Sequence, residues 1–418
     1  MPGRSGFQVP IGISLSGRTM LRRVLLCLGG ALCGWTLPVS ADDPPREWIE
    51  AATGHRVVRL SDQPGTASLY FHQNPYTGSG DLMVVSTPAG LATIALPSRT
   101  ITSLVSGRTS HLVVGRGSRR AYYIQNDTVF AADLDTRTTR KILTDARLRT
   151  GSGFGVSADE TLLAGSFVTD TGTGVTPPAN TSAPPNPLVT PPPQASSLEA
   201  RWAARRPMAL YTLNVKSGEL KIIYNATDWL NHVQMSPTDP TLIMFCHEGP
   251  WHKVDRIWTI RTDGSGRRLM HERTMDMEIA GHEFFSADGK TIWYDLQTPK
   301  SKVFWLAGVE IATGKRTRYP VAREDWSVHF NQSHDGRHFA GDGGGPRSVA
   351  APGNGQWIYL FTPTADGKLA AEHLVDLSKH DYQLEPNVTF TPDDKWVVFR
   401  SNMYGATHVY AVEVSGHR

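Results

Sequence analysis

Four histidines open similar short fragments of this chain: His111 in HLVVGRGSRRAYYI, His232 in HVQMSPTDPTLIMF, His282 in HEFFSADGKTIWYD and His329 in HFNQSHDGRHFAGD. Imidazole titrates near neutral pH, so a histidine facing solvent is a candidate general base or metal ligand. A single inward histidine is more often a hydrogen-bonded core residue, and repetition argues against that reading here. Polar groups also gather nearby. FCHEGPWHKVDRIW brings His247, Glu248, His252, Asp255 and Arg256 together between Trp251 and Trp258, and KHDYQLEPN carries His380, Gln383, Glu385 and Asn387. His329, Glu385 and Asn387 offer nitrogen and oxygen donors without a thiolate, which suits Mn²⁺, Ca²⁺ or Mg²⁺ better than a closed zinc site. Glu385 equally suits a salt bridge to a channel Arg or Lys. A His base, an Arg and a hard cation suit one reaction in particular, removal of a proton alpha to a carboxylate. On a uronic acid that proton is on C5, and the 4-linked sugar then leaves by β-elimination.

Such residues need a scaffold that makes them converge. Helical periodicity is scarce, and short alternating strands with Gly/Asp turns dominate, which predicts an all-β protein. The His fragments belong to a repeat with further copies starting at Gln73, Gly153 and Asn387. Each copy is followed by one or two more strands, giving about four strands per 40–50 residues, the pattern of propeller blades. Seven copies predict a seven-bladed β-propeller. The last blade lacks an outer strand, and residues 53–62, TGHRVVRLSD, are expected to supply it and close the ring. Equivalent positions then form a ring around the channel: Gln73, His111, Gly153, His232, His282, His329 and Asn387. Glu283, next to the ring, is expected to point away from the channel and to be structural.

The spacing of 79 residues between Gly153 and His232 exceeds every other, and it contains eight prolines from Pro177 to Pro193. Proline donates no ladder hydrogen bond, so residues 170–205 read as an insertion, with helical composition in SSLEARWAARR. At the other end, LRRVLLCLGGALCGWTLPVSA has the layout of a secretory signal peptide over residues 1–41, which predicts a periplasmic or secreted protein with one propeller domain over 42–418. That leader holds Arg4, Arg18, Arg22 and Arg23 and no acid. Its removal lowers the basic count from 42 to 38 against 39 acidic residues, which gives no bulk argument for nucleic acid. Cys246 is the one cysteine beyond the leader, so no internal disulfide is expected. The chain shows no nucleophile elbow, P-loop or dinucleotide fingerprint. GDGGGP at 341–346 reads as a channel-rim loop, and the ring offers no carboxylate pair for glycoside hydrolysis.

WLNHVQMSPTDPTLIMFCHEGPWHKVDRIW, GHEFFSADGKTIWYD and NVTFTPDDKWVVF resemble the oligogalacturonate lyases, from about Thr53 to the end of the chain. The resemblance implies a seven-bladed propeller that cleaves oligogalacturonate by β-elimination with a divalent metal, Mn²⁺ before Ca²⁺. It implies His282 as the base, Arg256 as the arginine serving the reacting uronate, and His329 as a metal ligand. The family's further ligands are a Gln and two His. Here the two His positions hold Glu385 and Asn387, and the Gln slot falls on Tyr382 or Gln383. His232, His247, Glu248, Trp251 and Gln73 are expected to contact the substrate, an oligogalacturonate or other uronic-acid oligosaccharide. The protein is expected to act as a monomer, with no nucleic acid partner and no membrane association after signal cleavage. The competing expectation is a non-catalytic periplasmic propeller that binds a ligand or protein partner.

Overall fold

A computed structural model of the chain describes residues 43–170, 198–343 and 356–414. The expected leader, most of the Pro-rich insertion and part of the GDGGGP loop lie outside the described residues. Seven antiparallel sheets follow one another along the chain, as the repeat predicts. Five of them have four strands each, with inner strands Ser110–Val114, Ser152–Val156, Trp229–Met235, Ile279–Phe285 and Ser327–Gln332. These form blades 2 to 6.

Alternation explains how the blades pack. In Thr291–Gln297, Ile292, Tyr294 and Leu296 meet blade 4, whereas Trp293 on the opposite face meets blade 6. Apolar residues from both faces of each sheet are thereby buried, and the core divides into seven clusters, one between each pair of neighbouring blades. The ring closes as expected. Arg56–Arg59 pairs with His408–Glu413 in blade 7, with Val57 opposite Val412. Glu47–Ile49 adds a fifth, outermost strand that the sequence did not signal.

Blade 1 departs from the repeat. It has three strands, Leu82–Thr87, Gly90–Ala95 and Thr100–Ser106, and isolated bridges at Ala67 and Tyr76 replace its inner strand. Between those bridges the chain turns over Tyr70–Gln73, closed by the Gln73 N–H donating to the Tyr70 carbonyl at 2.8 Å.

Candidate active site

The ring positions share an unusual backbone. His111, His232, His282, His329 and Asn387 have φ of 52°, 46°, 49°, 49° and 54°, and Gly153 has 79°. This left-handed region costs a non-glycine residue about 1–2 kcal/mol, so five instances at one repeat position require a common cause. For the instances in blades 2 to 6 that cause is a register shift. In blades 2 to 6 the inner strand bulges at this residue, for example between Gly281 and Phe284 and between Val328 and Asn331. Such a bulge re-aims one side chain out of the alternating pattern. The imidazoles are thus brought together: His282 and His329 have ring centroids 4.5 Å apart, and Tyr70 lies 5.9 Å from His232 and 5.5 Å from His329. Gln73 is not in the left-handed set. Blade 1 instead sends in Tyr70, Phe71 and His72 from its turn, residues that the repeat did not reveal because the inner strand is broken there. Burial, reinforced by neighbouring His232, lowers the His72 pKa to about 3.

Beside each bulge the neighbouring strand carries a second ring of side chains. The residue preceding each ring position pairs with Ile124, Ser166, Cys246, Asp295 and Asp342 in blades 2 to 6, and Arg400 donates its N–H to Pro386 in blade 7. His282 Nδ1 lies 2.6 Å from Asp295 Oδ1, and His329 Nδ1 lies 3.0 and 3.1 Å from the two Asp342 oxygens. On the neutral His282 ring a carboxylate at Nδ1 fixes the tautomer with its proton there and leaves the Nε2 lone pair available. His282 Nε2 has no hydrogen-bond partner among the described residues, and the side chain is 12% exposed. The Trp251 ring packs edge-on against it at 5.2 Å.

A cavity of about 270 Å³ opens beside these groups, with Tyr70, His72, Gln73, His111, Asn231, His232, Glu248, Glu385 and Arg400 in its wall. Arg400 was missed by the repeat reading. Its Nε donates to the Glu385 carbonyl at 2.7 Å and its Nη1 to the Ser68 carbonyl at 3.1 Å, both main-chain oxygens.

Arg256 sits behind this wall. It is buried, its guanidinium pairs with Glu248 and, at 3.4 Å, with Glu283, and it lies 4.6 Å from the Trp251 ring centroid. Burial opposes its charge, but the two carboxylates outweigh that and raise its pKa. Glu283 is therefore not an isolated structural residue. It is fully buried, 3.2 Å from His232 Nδ1, and held below the usual carboxylate range by Arg256 and His232 against the cost of burial. His247 is turned away to Asp228 at 2.8 Å and does not line the cavity, and Trp251 acts as the packing bridge between Arg256 and His282.

The donors expected to hold a divalent metal converge only in part. His329 Nε2 is buried without a hydrogen bond, 3.7 Å from Glu385 Oε2. Burial lowers the His329 pKa, but the carboxylates of Asp342 and Glu385 override it and raise it to about 9. The Asn387 amide oxygen accepts from the Phe71 N–H at 3.1 Å, so one of its two lone pairs is already engaged. Gln383 is exposed and outside the cavity wall, and the Tyr382 ring packs against the core between blades 6 and 7. A deprotonated His329 imidazole and the Glu385 carboxylate fit a hard cation, and Gln383 does not join them. A second set of donors, His232, Cys246 and Glu283, has ligand atoms within 4.8 Å of one another. Its carboxylate is already paired with Arg256, and burial keeps the Cys246 thiol protonated, so it suits an ion-pair network rather than a metal.

Comparison with known proteins places this geometry. The family model for oligogalacturonate lyase matches residues 200–417, just over half of the chain, including His232, Arg256, His282, His329, Glu385 and Arg400. The chain belongs to the oligogalacturonate lyase family. An oligogalacturonate lyase of Dickeya dadantii (strain 3937) is 30% identical over 216 residues, which cover 49% of this chain and 55% of that protein. An oligogalacturonide lyase of Pectobacterium atrosepticum is 29% identical over 223 residues, with the same coverage. The chain thus spans about half the length of these curated relatives. Among solved structures, an oligogalacturonate lyase in complex with manganese matches with a TM-score of 0.73 at 22% identity, covering 88% of this chain and 95% of that one. The oligogalacturonate lyase of Vibrio parahaemolyticus matches with a TM-score of 0.72 at 23% identity, covering 88% and 96%. At these identities the likeness concerns the fold, which is the seven-bladed propeller.

Proposed function

We propose that the chain is a lyase that cleaves oligogalacturonate, or a closely related uronate oligomer, by β-elimination. The observation that carries this reading is His282, fixed by Asp295 on Nδ1, unpartnered on Nε2 and placed beside Glu385 of the cavity wall. In this reading His282 Nε2 takes the C5 proton of the reacting uronate. The electron pair of that C–H bond forms the C4–C5 double bond as the C4–O bond breaks, and the departing oxygen is protonated from the solvent-filled cavity. Asp295 stabilises the imidazolium that results and keeps the ring in orientation. Arg400, a cation of the cavity wall, meets the uronate carboxylate, whereas Arg256 orients Trp251 and Glu248 from behind.

His329 and Glu385 are the residues that would hold a divalent cation, Mn²⁺ as in the manganese-bound relative or Ca²⁺. When bound, such an ion withdraws charge from the carboxylate and so makes the C5 proton more acidic. Incubation of the protein with trigalacturonate and Mn²⁺, read as absorbance of the unsaturated uronate product, tests the activity. The proposal predicts growth of that absorbance, and its absence with every uronate oligomer tested would contradict it. We also propose that the chain is exported, on the strength of residues 1–41. Cell fractionation with N-terminal sequencing should find a product in the periplasm or medium starting near Asp42, and an uncleaved cytoplasmic product would refute export.

A further inference from the structure

We propose that Arg201 and Trp229 form a separate subsite of the same cavity, which binds the carboxylate of a uronate next to the reacting one. The inference rests on the lyase reading for the identity of the ligand. Its geometry stands on its own.

Arg201 lies on the short helix Leu198–Ala203, and its guanidinium carbon is 3.2 Å from the centroid of the Trp229 ring. Both side chains are half-buried in the cavity wall, near Asn231 and Glu248. Arg201 makes no hydrogen bond or ion pair with any described residue. Burial lowers its pKa, with only the field of Glu248 opposing, so the cation has lost water without gaining a carboxylate. Nearly every other buried charge around the cavity has a partner. Arg256 has two carboxylates, Glu283 has Arg256 and His232, and Arg400 has two carbonyls.

The helix is not loosely placed. Glu199 pairs with Lys253 and Arg205 with Asp228. Trp202 fills the space above Gly249, where an added Cβ would meet its Cδ1 at 2.7 Å. Gly249 thus lets the helix dock on blade 4, and docking delivers Arg201 to the cavity.

A stacked guanidinium keeps its planar fork of N–H donors at the ring edge, which matches the two oxygens of a carboxylate. Arg400 supplies a second cation on the wall, so the cavity has one arginine for the reacting uronate and one for its neighbour. A ligand with carboxylates on successive sugars can place the second one on Arg201, and a single galacturonate cannot.

The test compares wild type with R201M and R201K on trigalacturonate and on the same trimer methyl-esterified on its non-reacting sugars. The expected result is a KM for the acid trimer about 10- to 100-fold higher in R201M, with kcat nearly unchanged, as for loss of one charge-assisted contact. R201K should fall between, because it keeps the charge and loses the fork. On the ester, R201M and wild type should behave alike. An unchanged KM for the acid trimer, or an equal loss on the ester, would overturn the subsite. If wild type shows no elimination, the lyase reading fails. The subsite is then still decided by calorimetric titration of trigalacturonate into wild type and R201M, where equal affinities would refute it.

Discussion

Among the residues, the pairing of charges separates the working groups from their supports. His282 and Arg256 are the two side chains for which the family resemblance implies a direct part in the reaction, and the structure treats them differently. His282 has a carboxylate on one nitrogen and an unpartnered second nitrogen. Arg256 has its charge spent on Glu248 and Glu283 at full burial. Removing Arg256 leaves two buried carboxylates facing each other, which costs about 3–5 kcal/mol for a broken buried pair. R256M should therefore lose stability of that size in urea unfolding, and an unchanged midpoint would show that Arg256 is not the keystone of this network. Sequence alone identified His282, His329 and the HEGP segment because they recur at one repeat position or cluster in one stretch. It missed Asp295, Asp342 and Arg400, although the spacing from His282 to Asp295 and from His329 to Asp342 is the same 13 residues. A search for a second conspicuous position in the repeat would have found them, since Asn387 and Arg400 keep that spacing too. Glu283 could not be placed from alternation, because the bulge at His282 breaks the alternation at that point.

At the level of single elements, the inner strands are the active part of each blade. Their bulges and left-handed residues are energetically costly, and the surrounding sheet holds them in place. Gly281 shows how tightly one bulge is fitted. A Cβ there would lie 2.6 Å from the Trp251 ring, and Trp251 in turn packs on His282. Gly281→Ala should push Trp251 outward and disturb the base. Overpacking of this kind costs about 1–3 kcal/mol. Thermal unfolding together with initial rates should show a loss of kcat larger than that stability loss alone produces at working temperature. A variant with normal kcat would show that Trp251 does not position His282. The turn of blade 1 was the element least legible in the sequence, whereas the helix Leu198–Ala203 was legible from its composition and only its docking was not. Neither follows the repeat, and each brings side chains to the cavity that composition cannot place: Tyr70 and His72 from one, Arg201 from the other.

For the molecule as a whole, seven interblade clusters and one closing strand hold the ring, with Cys246 a free buried thiol. The fold was the most legible part, because strand spacing and turn chemistry repeat seven times and the closing strand resembles the outer strands it joins. The buried histidines between and within blades give the stability a pH dependence. His271 bonds Tyr294 and Glu278, both at 2.9 Å, and burial lowers its pKa to about 4, helped by Arg316 and opposed by Glu278. The unfolded chain takes up this proton near pH 6.5, before the folded protein does. Stability from this group is thus complete above pH 6.5 and lost as the pH falls toward 4, by about 1.4 kcal/mol per pH unit. His111, lowered by burial to about 4, acts in the same direction. The melting temperature should drop between pH 6.5 and 4.5, and His271→Gln should flatten that slope. A slope unchanged in the variant would assign the effect to other groups.

Whether His282 removes the C5 proton is decided by the elimination rate of His282→Ala on trigalacturonate, with folding checked by circular dichroism. If His282 is the base, the variant folds and its kcat is lower by about 10²–10⁴-fold, the usual contribution of a general base. A folded His282→Ala that forms the unsaturated product at the wild-type rate would contradict that role.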